Sequence, residues 1–95
     1  MSKRTEYIDS IEKKLREWDK ELEKLEEKKN QAGAKAKAEY QEQIRKLRER
    51  RKETGQRLKK LQQAGDEAWT ELKEGLEKSV NVFSSAIKDA RNKFS

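Results

Sequence analysis

The chain offers little to do chemistry with. It contains no Cys, no His and no Pro among its 95 residues. That excludes a Cys/His metal site, a disulfide framework and any Cys-His or Ser-His nucleophile pair. Proton chemistry would fall to a carboxylate, a Lys, or Tyr7 or Tyr40, and such a group needs a pocket to shift its pKa. Adjacent carboxylates such as Glu26 and Glu27 sit in a pattern full of Glu and read as helix-surface charges. The chain is therefore read as non-enzymatic, with no cofactor and no small-molecule substrate.

What remains is charge and amphipathicity. The basic segment Arg45, Lys46, Arg48, Arg50, Arg51, Lys52, Arg57, Lys59 and Lys60 has only Glu49 and Glu53 among it. Such a run binds phosphate backbones without regard to sequence, whether of nucleic acid or of anionic lipid. The plainer reading is a solvated helix face paired with acidic neighbours. No aromatic interleaves for base stacking, which counts against nucleic acid. The candidate phosphate contacts are Arg45, Arg48, Arg50, Arg51, Lys52 and Arg57. A second feature is the C-terminal stretch. There Leu76, Val80, Phe83, Ile87 and Phe94 share one face, with Val82 and Ala86 widening it and Ser79, Ser84 and Ser85 on the polar side. This stretch would serve as a core helix or as a shallow membrane-surface helix.

These residues need helices to position them. The chain is 46% charged and 31% hydrophobic, with a net charge of +6. This is the composition of long helices and coiled coils. Apolar residues at Ile8, Ile11, Leu15, Trp18, Leu22 and Leu25 step by three and four, a heptad seam. A second run comprises Tyr40, Ile44, Leu47, Leu58 and Leu61, passing through Arg51 and Thr54. The third is Trp69, Leu72, Leu76, Val80, Phe83, Ile87, Ala90 and Phe94, with one departure from strict heptad spacing. Trp18 and Trp69 fall on the seam and are assigned to core packing. Arg51 on the seam either snorkels outward or fixes register at a cost in stability.

Asn30-Gln31-Ala32-Gly33 and Gln62-Gln63-Ala64-Gly65 are near-repeats that place Gly where a left-handed helix C-cap would want it. Asp66 then reads as an N-cap. Whether Gly33 is a turn or lies within a continuous helix is left open, because the alanines and lysines after it favour helix. Gly55 and Gly75 lie inside patterned stretches, where they weaken a helix rather than end it.

Charge is unevenly spread. Residues 1–29 carry nine basic and nine acidic side chains, residues 30–65 eleven and four, and residues 66–95 five and six. The first segment's e positions, Glu12, Asp19 and Glu26, are acidic, and the second segment's flanks include Arg48, Arg50 and Arg57. Opposite flanks of this kind select neighbours. They favour packing of the first segment on the second, within one chain or between chains.

The expected fold is all-α and a single domain. Its helices cover about 5–30, 34–64 and 66–94, as an antiparallel three-helix bundle or long helical hairpin, with the third helix parallel to the first. In that register Leu22 lies near Tyr40, Trp18 near Ile44 and Phe83, and Leu15 near Leu47 and Val80. The alternative is an extended rod-like dimer or higher oligomer built on one helix over residues 5–64, ~90 Å long.

The block from Asp66 to Gly75, Asp-Glu-Ala-Trp-Thr-Glu-Leu-Lys-Glu-Gly, carries a resemblance. With Ala38–Arg48 and Leu15–Leu22, it resembles short bacterial proteins described only as coiled-coil-domain-containing. The resemblance implies a helical bacterial protein and brings no activity with it. A looser likeness is to spectrin-type three-helix repeats. The function expected is a non-catalytic helical interaction or scaffolding protein, partnered by itself or by another helical protein. Peripheral membrane binding through the C-terminal helix and weak nucleic-acid binding through the middle segment are the alternatives. The N-terminal residues lack the apolar stretch of a signal peptide, so a cytoplasmic location is expected.

Overall fold

A computed structural model describes residues 3–94. They form three helices, α1 (Lys3–Gln31), α2 (Ala34–Gln62) and α3 (Asp66–Lys93). α1 is rich in Leu, Glu and Lys, α2 in Ala, Lys and Arg, and α3 in Ala, Glu and Lys, residues that lose little on entering a helix. At 1.5 Å per residue, 29 residues make a rod of about 43 Å.

Gly33 lies in a reversal. The continuous helix over 5–64, and the rod built on it, do not form. The glycines act differently from the C-caps expected. Gly33 (φ −68°, ψ 168°) and Gly65 (φ −82°, ψ 179°) are extended N-caps of the following helices. No described residue has a left-handed φ. The preceding helices end instead by tightening. The Ala32 N–H donates to the Lys29 carbonyl at 3.1 Å, and the Gln63 and Ala64 N–H groups donate to Lys60 and Leu61. Asp66 is not the N-cap expected of it. It lies in the first turn of α3 and its carboxylate meets Arg4 at 2.8 Å.

The helices pack as an all-α three-helix bundle measuring 51 × 21 × 18 Å. Its radius of gyration, 15.4 Å, exceeds the roughly 12 Å of a rounder domain of this length. Its core falls into two clusters. Leu22, Leu25, Ile44, Leu47, Phe83, Ile87 and Ala90 form one, joined at its edge by Tyr40, Ala86 and Phe94. Ile11, Leu15, Leu58, Leu61, Leu76 and Val80 form the other, flanked by Tyr7, Ile8, Trp69 and Leu72. Trp18 touches both.

Ring pairs fix α1 parallel to α3. Trp18 stacks on Phe83 with centroids 4.7 Å apart, and Tyr7 meets Trp69 edge-on at 6.4 Å. The expected neighbours Leu15 and Val80 share a cluster, as do Trp18 and Ile44. Leu15 and Leu47 do not, because Leu15 packs in the cluster of Leu58. The reason is geometric. A helical side chain leans toward its own N-terminus, and in an antiparallel pair the two leans add. Residues that touch are therefore further along α2 than Cα levels suggest. Asp19 reaches Arg51, Glu26 reaches Arg48 and Glu12 reaches Gln62.

Candidate functional site

The seam residues are the bundle's main investment. Ile11, Leu15, Leu22, Leu25, Ile44, Leu47, Leu58, Leu61, Leu76, Val80, Phe83 and Ile87 are buried. Ile8, Trp18, Tyr40, Trp69, Leu72 and Phe94 are partly buried around them. Tyr40 stacks on Phe94 with centroids 3.9 Å apart, closing the end near the first reversal. Ala90, from the third run, is buried as well.

Between the two clusters lies a polar layer at the gap in the second apolar run. Thr54 is 0% exposed, and its Oγ1 is 2.6 Å from Ser79 Oγ across the α2/α3 boundary. The sequence pattern put Ser79 on the polar face of α3. The 3-4-4 spacing around Leu76 and Val80 widens the inward stripe and turns Ser79 toward α2. On the α1 side of the layer, Arg51 Nε and Nη2 donate to the two oxygens of Asp19 at 2.8 and 3.2 Å. Arg51 thus leaves the core by spanning to α1, with both carboxylate oxygens engaged. An added Cβ at Gly55 would lie 2.8 Å from Arg51 Nη1, so the missing side chain makes room for the guanidinium.

The fold sorts the basic segment. Arg45 is held by Glu42 and Glu49 on its own helix at 2.9 and 2.8 Å. Those carboxylates raise its pKa, and the Arg45 hydrogen bond lowers that of Glu42. Arg48 donates to Glu26 of α1 at 3.0 Å. Hydrogen bonds from Lys29 and then from Arg48 hold the Glu26 carboxyl below its usual range. The acidic e positions Glu12, Asp19 and Glu26 all bond to α2, through Gln62, Arg51 and Arg48. Arg50 and Arg57, expected among the flanks facing α1, instead line the groove between α2 and α3. Arg57 meets Glu53 only at 3.3 Å. Arg50 and Lys52 have no carboxylate partner among the described residues.

Two stretches of the α2/α3 groove stand out. One, of about 340 Å³, is lined by Gln43, Lys46, Leu47, Glu49, Arg50, Glu53, Ala86 and Asp89. The next, of about 360 Å³, is lined by Arg50, Glu53, Arg57, Gly75, Lys78, Ser79 and Val82. Val82, 44% exposed, is the one large apolar side chain left in solvent among the described residues. An added Cβ at Gly75 would lie 2.9 Å from Arg57 Nη1, so this glycine too accommodates a guanidinium.

The apolar face of α3 is spent on the core, with Phe83 0% exposed. A membrane would meet it only after α3 detaches. No helix among the described residues is long and apolar enough to cross a membrane. No group of three acidic side chains among them is placed to hold a metal ion.

At the opposite end of the bundle, Arg4 lies 4.7 Å above the Trp69 ring and Lys73 lies 4.8 Å above that of Tyr7. The Tyr7 hydroxyl is buried without a hydrogen-bond partner. Burial, with Glu77 adding to it, pushes its pKa up to about 12.

Sequence reasoning missed Ser79 and Lys78, because their roles depend on which side of α3 faces α2. Comparison of the chain with protein-family models, with curated proteins and with solved structures gives no match.

Proposed function

We propose that this protein is a non-catalytic helical interaction or scaffolding module that seats another helix, from a second copy or a partner, in its α2/α3 groove. The observation that carries this reading is the apolar strip along that groove. Val82 is exposed, partly buried Ala86 lines the same stretch, and Arg50 and Asp89 flank them. An apolar line between charged rows is how helices recognise helices in coiled coils. Most of the bundle's own seam is buried inside, so partner choice falls to the charged flanks. A bacterial, cytoplasmic setting belongs to the same proposal and rests on the sequence.

Small-angle X-ray scattering on absolute scale over a concentration series tests self-association. The expected result is mass growth with concentration that is abolished in the V82E/A86E variant, with circular dichroism confirming that the variant still folds. A monomeric mass with a maximum dimension near 50 Å at every concentration would remove self-association. Unchanged growth in V82E/A86E would remove the groove as its site.

A further inference from the structure

The recess between α2 and α3 beside Val82 has a charge pattern that seating a helix does not require. Three cations line it, Arg50 and Arg57 from α2 and Lys78 from α3, against one carboxylate, Glu53. Arg50 and Arg57 are seven residues apart, so they fall on one side of α2 about 10 Å apart along its axis. Their neighbours in sequence are neutralised elsewhere: Arg45 by Glu42 and Glu49, Arg48 by Glu26, Arg51 by Asp19. The fold thus leaves more cations than carboxylates along this recess, with Arg57 held by Glu53 at 3.3 Å and Asp89 further along the groove beside Arg50.

The floor supplies a hydroxyl. Thr54 is fully buried, and Ser79 is the side-chain hydroxyl beside it. Either hydroxyl can donate in this pair, and when Thr54 donates the Ser79 proton is left to donate into the recess that Ser79 lines. The Arg57 contacts to Glu53, at 3.3 and 3.4 Å, are longer than the 2.7–2.9 Å of a tight charge-assisted bond. Glu53 therefore holds Arg57 only loosely. Gly75 keeps open the space in which the Arg57 guanidinium lies.

We propose that this recess, with Arg50, Arg57 and Lys78 as its cations and Ser79 as its neutral donor, binds a phosphate group carried by a small molecule or a lipid headgroup. Guanidinium forks from two positions and a flexible ammonium match the several oxygens of a phosphate better than the two of a carboxylate. The inference does not depend on helix seating, since no residue substituted below is Val82 or Ala86.

The test is titration of the full chain with sodium pyrophosphate at low salt, followed by calorimetry and backbone amide NMR. Saturable binding is expected, with shifts centred on residues 75–79 and 50–57. The R50A/K78A variant should lose roughly tenfold or more in affinity, while R45A, outside the recess, should not change it. E53Q should bind several-fold more tightly, because the competing carboxylate is gone. G75A should bind more weakly yet melt at higher temperature, since Ala favours helix while its methyl displaces Arg57. Circular dichroism confirms that each variant folds.

Co-sedimentation with vesicles of phosphatidylcholine, with and without phosphatidic acid, distinguishes the sources. Retention on phosphatidic acid that pyrophosphate fails to compete assigns the lipid form, and full competition assigns the free form. Affinity that falls equally for R45A and R50A, or no binding to pyrophosphate or phosphatidic acid, would overturn the proposal. So would binding to a single-stranded oligonucleotide that Lys78→Ala leaves intact.

Discussion

Replacing Thr54 by Val and Ser79 by Ala probes the polar layer that divides the core. The two hydroxyls are 2.6 Å apart, and Thr54 is 0% exposed. Ser79→Ala leaves the Thr54 hydroxyl buried without its partner, which costs about 1–3 kcal/mol. The lower end applies if Thr54 turns to the carbonyl one helical turn before it. Thr54→Val keeps the shape and removes the hydrogen bond, at about 1 kcal/mol, because half-buried Ser79 recovers solvent. The double variant removes both polar groups and joins the two apolar clusters, so its stability should return to within about 0.5 kcal/mol of the parent. The coupling between the sites is then on the order of 2 kcal/mol, far above the 0.3–0.5 kcal/mol scatter of independent positions. Urea unfolding followed by circular dichroism reads it directly. Thermal melts should show each single variant lowered by roughly 4–8 °C per kcal/mol, with the double variant restored. Additive losses would refute the assignment of this pair as a mutually satisfied layer.

The Tyr7 phenol gives a pH signature. Its folded pKa, about 12, lies above the unfolded value near 10, so its stabilising contribution is complete below pH 10 and is lost as pH rises toward 12. Urea unfolding at pH 7, 10 and 11.5 should show the parent losing more stability than Y7F across that window, with solvent screening of the partly exposed ring reducing the size of the effect. At pH 7, Y7F should be as stable as the parent or about 1 kcal/mol more so, because the orphaned hydroxyl is gone. Gly33 and Gly65 cap their helices in extended conformations, with open space where a Cβ would go and no side-chain hydrogen bond. Gly33→Ser and Gly65→Ser should each stabilise by about 0.5–1 kcal/mol in the same assay. Phe83→Ala empties a fully buried ring site stacked on Trp18 and should cost about 3–5 kcal/mol, enough to unfold much of a marginal domain, whereas Val82→Ala should stay within about 0.5 kcal/mol.

Much of the fold was legible because helix periodicity is a local property. The seam from Ile8 to Leu25 and the run from Trp69 to Phe94 become α1 and α3, and the near-repeats ending at Gly33 and Gly65 become reversals. The glycines' conformations were not legible. A helix can end by an αL residue or by tightened i→i+3 bonds, and here both chain reversals are short and extended. The pairing of Leu15 was misjudged because level-matching of Cα atoms ignores the lean of side chains toward their N-termini.

The sequence by itself determined an all-α chain with three amphipathic segments, a basic middle and acidic e positions on the first segment. Each of these follows from residue type and spacing along one helix. Only the tertiary structure decided which neighbours the charges find. Arg48 and Arg51 turn to α1, where Glu26 and Asp19 receive them, while Arg50 and Arg57 turn to the α3 side, where Lys78 lines the same recess and neither makes an ion pair to α3 among the described residues. Likewise Ser79, polar in any one-dimensional reading, joins Thr54 in the bundle interior because the stutter in α3 rotates it inward. Partner identity depends on the azimuth of each helix about its axis. That angle is set by packing all three apolar stripes at once, which no single segment encodes.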